Sequence, residues 1–168
     1  MKLDNLKENM ESWLNGMAEG WRHLWKSTGN ALTHFKPGEK TNLPVASQID
    51  DDSWATGTGW SLLGAELFED DQQLVVRLET PGMDKKDLDI EIDGEMLIVR
   101  GEKRFENEKT TGRWRTFQCA YGSFRRVFPL PVPVKIDAAK ASYKNGILRI
   151  EMPKLNPGKA KSVSVKVE

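Results

Sequence analysis

Residues 141–152 read Ala141-Ser142-Tyr143-Lys144-Asn145-Gly146-Ile147-Leu148-Arg149-Ile150-Glu151-Met152. Asn145-Gly146 is a strong two-residue hairpin signal, because a type I′ turn needs positive φ at both central positions. It separates two strand-like runs, 141–144 and 147–152. The same device recurs upstream. Leu88, Ile90 and Ile92 alternate with Asp87, Asp89, Glu91 and Asp93, as a half-buried strand should. Asp93-Gly94 then separates that run from Met96 to Val99, so a second type I′ turn is expected there. Leu74, Val76 and Leu78 alternate with Gln73, Val75, Arg77 and Glu79. Phe124, Arg126, Phe128 and Leu130 alternate again before Pro129, Pro131 and Pro133 stop ladder pairing. Short strands, two hairpin signals and no convincing central helix predict an all-β fold, an immunoglobulin-like antiparallel β-sandwich.

Outward from these strands, composition divides the chain of 168 residues into an arm (1–63), a β domain (64–154) and a C-terminal extension (155–168). Five of the six tryptophans lie in the arm. There Leu3, Leu6, Met10, Trp13, Leu14, Met17, Trp21, Leu24 and Trp25 recur at spacings of three and four, which predicts an amphipathic helix. Its charges balance, which weakens a membrane-surface role. The stripe either packs on the same protein or contacts other chains, and large Trp and Met surfaces favour the second. Residues 36–61 contain Pro37-Gly38, Pro44, Asp50-Asp51-Asp52 and Gly57-Thr58-Gly59 and read as linker.

Lys plus Arg and Asp plus Glu each total 25, giving zero formal net charge. That balance disfavours a nucleic-acid partner, which needs excess cations to displace phosphate counterions. A single cysteine forbids an intramolecular disulfide and leaves no cysteine cluster for zinc. There is no run of 18 apolar residues to span a membrane. Asp4, Glu8 and Glu11 do not suit a secretory signal, so a cytoplasmic setting is expected.

Chemistry is also thin. His23 and His34 are the only histidines, and on one helix they would stand about 16 Å apart, too far to share a metal. Cys119 has no base supplied by the sequence around it. Gly57-Thr58-Gly59 lacks the third glycine of a dinucleotide fingerprint, and no Walker A motif is present. Asp50-Asp51-Asp52 lacks the alternating ligands of a calcium loop. Arg113-Trp114-Arg115-Thr116-Phe117 mixes cations with aromatics, but the charge balance gives RNA binding no help. No catalytic residues, cofactor or metal are expected, and the protein is expected not to be an enzyme.

Three ordered segments resemble the small heat-shock proteins of bacterial and plant type. Ala141-Ser142-Tyr143-Lys144-Asn145-Gly146-Ile147-Leu148 matches the Ala-x-x-x-Asn-Gly-(Val/Ile)-Leu pattern that ends their α-crystallin domain. Glu79-Thr80-Pro81-Gly82-Met83 is similar to the family's Leu-Pro-Gly segment, with Thr80 in place of Leu. Tyr121-Gly122-Ser123-Phe124-Arg125-Arg126-Val127-Phe128 is similar to its Tyr-Gly-x-Phe-x-Arg-x-Phe strand. The resemblance covers about residues 64–167.

It implies an ATP-independent holdase that binds unfolding client proteins and assembles as dimers into larger homo-oligomers, with ATP-dependent chaperones downstream. In the dimer, Trp114, Arg115, Thr116 and Phe117 would be a donated strand, reaching out on residues 105–112. The partner's Ala65, Glu66, Leu67 and Phe68 would accept it. Pairing an exposed edge in this way removes an aggregation hazard. Arg126, on the apolar-facing register of its strand, would support the dimer, since an unpaired guanidinium there is costly. Val163 and Val165, with Val165 and Val167 as a second register, would be the tail motif. Their groove would be lined by Leu88, Ile90, Ile92, Tyr143 and Leu148. Valine in place of the family's isoleucine gives up about 0.8 kcal/mol of burial per plug residue. The stripe of Leu6, Met10, Trp13, Leu14, Met17, Trp21, Leu24 and Trp25 would hold clients while adding little to the domain's fold. The rival reading is a non-oligomeric co-chaperone adaptor on a similar sandwich, which predicts a monomer.

Overall fold

The computed structural model describes residues 31–38, 41–51, 59–106 and 111–158. The arm's apolar stripe and the valines of the extension lie outside the described residues. Among the described residues nine strands run in order: β1 Leu32–Phe35, β2 Gly59–Leu62, β3 Ala65–Glu69, β4 Gln73–Glu79, β5 Leu88–Asp93, β6 Met96–Lys103, β7 Gly122–Pro129, β8 Lys140–Lys144 and β9 Ile147–Pro153. Three short 3₁₀ turns are the only helical elements among the described residues.

Two antiparallel sheets form the sandwich, one ordered β3-β4-β9-β8 and the other β5-β6-β7. Period-two patterning decides what faces inward. Leu74, Val76 and Leu78 of β4 and Leu148, Ile150 and Met152 of β9 supply one inner face, and Leu97, Val99 and Phe124 supply the other. Leu74, Val76, Leu78, Leu97, Val99 and Met152 are fully buried.

The turns show how the registers are fixed. At Asn145-Gly146 both residues have positive φ, 52° and 76°, and Lys144 pairs with Ile147, as a type I′ hairpin requires. The upstream turn differs by one residue from the expected Asp93-Gly94. Asp93 is the last residue of β5 and pairs with Met96, so the turn is Gly94-Glu95 with Gly94 at φ 56°. Gly first is the II′ pattern, which needs positive φ at that position only. Gly122 opens β7 at φ 123°, and a Cβ there would overlap the carbonyl oxygen of Lys36. That close approach lets Lys36 and Ser123 exchange backbone hydrogen bonds of 2.9 and 2.7 Å.

The linker reading of 36–61 changes at its C-terminal end, where β2 begins at Gly59, and strand β1 directly precedes it. β1 and β2 pair into a small sheet of their own, and Phe35 and Leu63, each 2% exposed, join the core cluster. The apolar alternation in these segments is only four residues long, too short to stand out from loop.

Candidate functional site

β3 is an outer strand: it pairs with β4 from Ala65↔Leu78 to Glu69↔Leu74, and its other side has no neighbouring strand in its sheet. Ala65, Glu66, Leu67 and Phe68 are all exposed, Leu67 by 42% and Phe68 by 61%. Glu66 pairs across the ladder with Arg77 at 3.0 Å, an exposed contact of little energetic weight. At the strand's far end Glu69 meets Lys154, which is 3% exposed, at 2.6 Å. Lys154 also donates to the Gly158 carbonyl at 3.3 Å, so this ion pair of a buried lysine and a half-buried glutamate joins the edge strand to the start of the C-terminal extension.

Asp70 closes the β3–β4 turn. Its carboxylate accepts from the backbone N–H groups of Gln72 (2.7 Å) and Gln73 (2.8 Å). Those bonds favour the ionised form and hold its pKa below the ordinary aspartate value.

The stretch carrying Trp114, Arg115, Thr116 and Phe117 does not meet β3 of its own chain. Trp114 instead bridges Ile49 in parallel, its N–H donating to the Gln48 carbonyl and its carbonyl accepting from Asp50 N–H, both at 2.8 Å. Arg115 is ion-paired with Asp50. The Phe117 N–H donates to Asp51 Oδ2 at 2.8 Å. Beneath the backbone, the Phe105 ring packs against Trp114, Phe117 and Tyr121 with centroids 5.4, 5.5 and 5.2 Å away. Phe105 and Phe117 are buried, Trp114 is half-buried, and Arg115 and Thr116 are exposed. Burial raises the Tyr121 hydroxyl pKa, with exposed Cys119 beside it adding to the shift.

Arg126 is 8% exposed in the middle of β7. Its guanidinium donates to the Thr33 hydroxyl at 3.0 Å and the Leu63 carbonyl at 2.7 Å, and lies 5.2 Å from the Phe128 ring centroid. Burial lowers its pKa, since low dielectric disfavours the charge. Both acceptors belong to its own chain, and they tie β7 to β1 and to the chain just before β3.

The proposed groove residues divide. Leu88, Ile90 and Ile92 are half-buried on β5, with Asp89, Glu91 and Asp93 turned outward. Tyr143 is half-buried on β8, its hydroxyl donating to the carbonyls of Met83 (2.5 Å) and Thr80 (3.2 Å). β5 and β8 are outer strands of the two sheets, and all four side chains pack on the core cluster. Leu148 is 3% exposed and belongs to the core itself, so it does not line a surface. The inward register of β9 places it there.

Sequence reasoning missed Thr33, Asp50, Asp51, Phe105 and Lys154 as working residues. Asp50 and Asp51 were visible only as an acidic run, which composition cannot distinguish from a solvated loop. Among the described residues, no group of His, Cys, Asp and Glu suits a metal ion, and no helix is long and apolar enough to cross a membrane.

The sequence pattern of the Hsp20/alpha crystallin family matches residues 66–168. The chain belongs to that family. Small heat shock protein C2 of Rickettsia felis is 36% identical over 101 residues, 60% of this chain and 66% of that protein. The 17.4 kDa class I heat shock protein of Arabidopsis thaliana is 34% identical over 94 residues, 55% of this chain and 60% of its own length. The shared region thus spans less than two thirds of these relatives. Among solved structures, heat shock protein 16.0 from Schizosaccharomyces pombe superposes with a TM-score of 0.54 at 29% identity, covering 62% of this chain and 97% of that one. A small heat-shock protein from Xylella fastidiosa, described as having a distinct high order structure, gives 0.51 at 28% identity over 64% of this chain and 98% of that one. The α-crystallin sandwich is therefore the fold of this chain, as its three motifs implied.

Proposed function

We propose that this small heat shock protein is an ATP-independent holdase of the cytoplasm, acting by binding rather than catalysis. It captures unfolding proteins under stress, prevents their aggregation and passes them to ATP-dependent chaperones. The observation that carries the reading is the outer strand β3, whose exposed backbone edge bears Leu67 and Phe68. An apolar edge of this kind demands a cover, and a strand from a second copy supplies it. Residues 114–117 of the partner are that strand, and dimers join further through Val163, Val165 and Val167 docking beside Leu88, Ile90, Ile92 and Tyr143. Clients bind the arm at Leu6, Met10, Trp13, Leu14, Met17, Trp21, Leu24 and Trp25. The heat-shock relatives and the high order structure of the Xylella protein support this reading. A monomeric co-chaperone adaptor leaves the β3 edge without a purpose.

The test is suppression of a heat-denatured client's aggregation without ATP, alongside light-scattering mass. Wild type protects and has a mass above the dimer, Phe68→Asp falls to monomer, and Val163→Gly with Val165→Gly stops at dimers. A wild-type monomer overturns the reading in favour of the adaptor, and absence of protection overturns the holdase.

A further inference from the structure

We infer that residues 48–51 are an autoinhibitory latch on residues 114–117: they hold the segment in a bent form that a second copy's β3 cannot pair with until the latch opens. The inference rests on the strand-donation reading above and adds the step that precedes it.

The latch closes on both ends of the segment. The Trp114 N–H donates to the Gln48 carbonyl, and the Trp114 carbonyl accepts from the Asp50 N–H, both at 2.8 Å. At the other end the Asp51 carboxylate accepts the Phe117 N–H at 2.8 Å. Between them the chain bends at Arg115, whose guanidinium is ion-paired with Asp50. Buried Phe117 packs on Phe105 and Tyr121, which holds the bend from beneath.

Strand geometry turns these contacts into a block. In an extended strand consecutive residues turn their backbone N–H and C=O to opposite edges, so β3 has two ways of pairing with this segment. It can use the groups of Trp114 and Thr116, or those of Arg115 and Phe117. The first needs both backbone groups of Trp114, which are already bonded to Gln48 and Asp50. The second needs the Phe117 N–H, which is already bonded to Asp51. Either way the segment must straighten at Arg115 and give up a bond to residues 48–51.

Residues 48–51 belong to the same chain, so they compete with a partner at an effective concentration that dilution does not lower. A segment open only part of the time pairs with an affinity reduced by its open fraction. The Arg115–Asp50 pair is weak alone, since Arg115 is 79% exposed. The charge-assisted bond from Phe117 to Asp51 is the stronger of the two side-chain contacts. Together they set the concentration at which chains pair.

The experiment dilutes full-length protein in steps and reads the monomer fraction by native mass spectrometry. Asp50→Ala with Asp51→Ala removes both side-chain contacts and should lower the half-dissociation concentration about tenfold. Hydrogen exchange in protein diluted to monomer reads the latch without a partner. The Phe117 amide should be protected in wild type and lose that protection in Asp51→Ala. The same measurement on assembled wild type reads the pairing, which should add protection at the Arg115 or the Thr116 amide. No added protection at either amide overturns strand donation, and the inference with it. Added protection with an unmoved or raised half-dissociation concentration in the double Ala variant leaves strand donation standing and overturns the latch alone. Unchanged Phe117 protection in Asp51→Ala also overturns the latch.

Discussion

The centre of β7 and the edge strand β3 treat their polar groups in opposite ways. Arg126 is buried and its guanidinium is met inside the chain by Thr33 and Leu63. β3 lies open, with Leu67 and Phe68 exposed and one side unpaired within its sheet. A buried charge without partners is too costly to keep, so β7 has to be completed intramolecularly before any assembly forms. An open edge costs little in water and gains when a partner covers it. Stability of the fold therefore concentrates around β7 and the segments clamped to it, and assembly concentrates at β3.

Removing the clamp is the harshest way to break this contrast. A chain beginning at Gly64, where the sequence alone places the start of the β domain, lacks Thr33, Phe35 and Leu63. Phe35 and Leu63 are each 2% exposed in the core, and losing such side chains costs about 3–5 kcal/mol for Phe and about 2–5 kcal/mol for Leu. Against a typical total of about 5–15 kcal/mol, that leaves the sandwich near or past unfolding. Far-UV circular dichroism and thermal melting should show a lost or strongly lowered transition for this chain. A chain beginning at Ala31 should melt as wild type does. Equal melting of the two would show that β1 and Leu63 are ornaments on a self-sufficient sandwich.

Arg126→Gly is the next step down. It removes the Nη1 group that donates both hydrogen bonds, leaves the Leu63 carbonyl without its guanidinium, and adds a flexible residue to a strand interior. Together these cost about 2–4 kcal/mol. The thermal midpoint should fall, and the assembly should swell or become heterogeneous as β7 loosens. Arg126→Lys should recover part of the stability, because one ammonium reaches fewer acceptors than a guanidinium fork. If the midpoint is unmoved, the contacts to Thr33 and Leu63 carry no weight, and the contrast with β3 collapses.

What the sequence showed and what it hid follow from the same distinction between local and long-range forces. Asn145-Gly146 was legible because its conformational need is local. The alternations in β4, β5 and β7 were legible because a period of two states burial directly. The Gly94-Glu95 turn slipped by one residue because Gly can begin a II′ turn as readily as end a I′ turn, and only strand pairing chooses. Arg126 was marked by its apolar register, but Thr33 stands 93 positions away and no periodicity points to it. Asp50 and Asp51 looked like solvated loop, since their partners lie 65 and 66 positions on. Leu148 was misplaced in the groove because a motif tells which strand a residue occupies, not which side of the sheet it faces.

The smallest effect belongs to the turn that carries the edge strand. Asp70 accepts the N–H groups of Gln72 and Gln73, and these bonds hold its pKa below the ordinary aspartate value. A carboxylate whose folded pKa is depressed stabilises the fold fully above its unfolded pKa, and that contribution is lost as pH falls through the folded value. The window is therefore acidic, at and below the usual aspartate range, and neutral stability is insensitive to small pH changes at this group. Asp70 is less buried than Arg126, so its share is smaller and concentrated in the β3–β4 hairpin. Asp70→Ala should lower the thermal midpoint slightly at neutral pH, speed hydrogen exchange at the Gln72 and Gln73 amides, and converge with wild type in strong acid, where both lack the carboxylate. A gap between the two proteins that persists unchanged into strong acid would mean that the charge is irrelevant. The hairpin would then be held by the β3–β4 ladder alone, and the edge would be as firmly built as the centre.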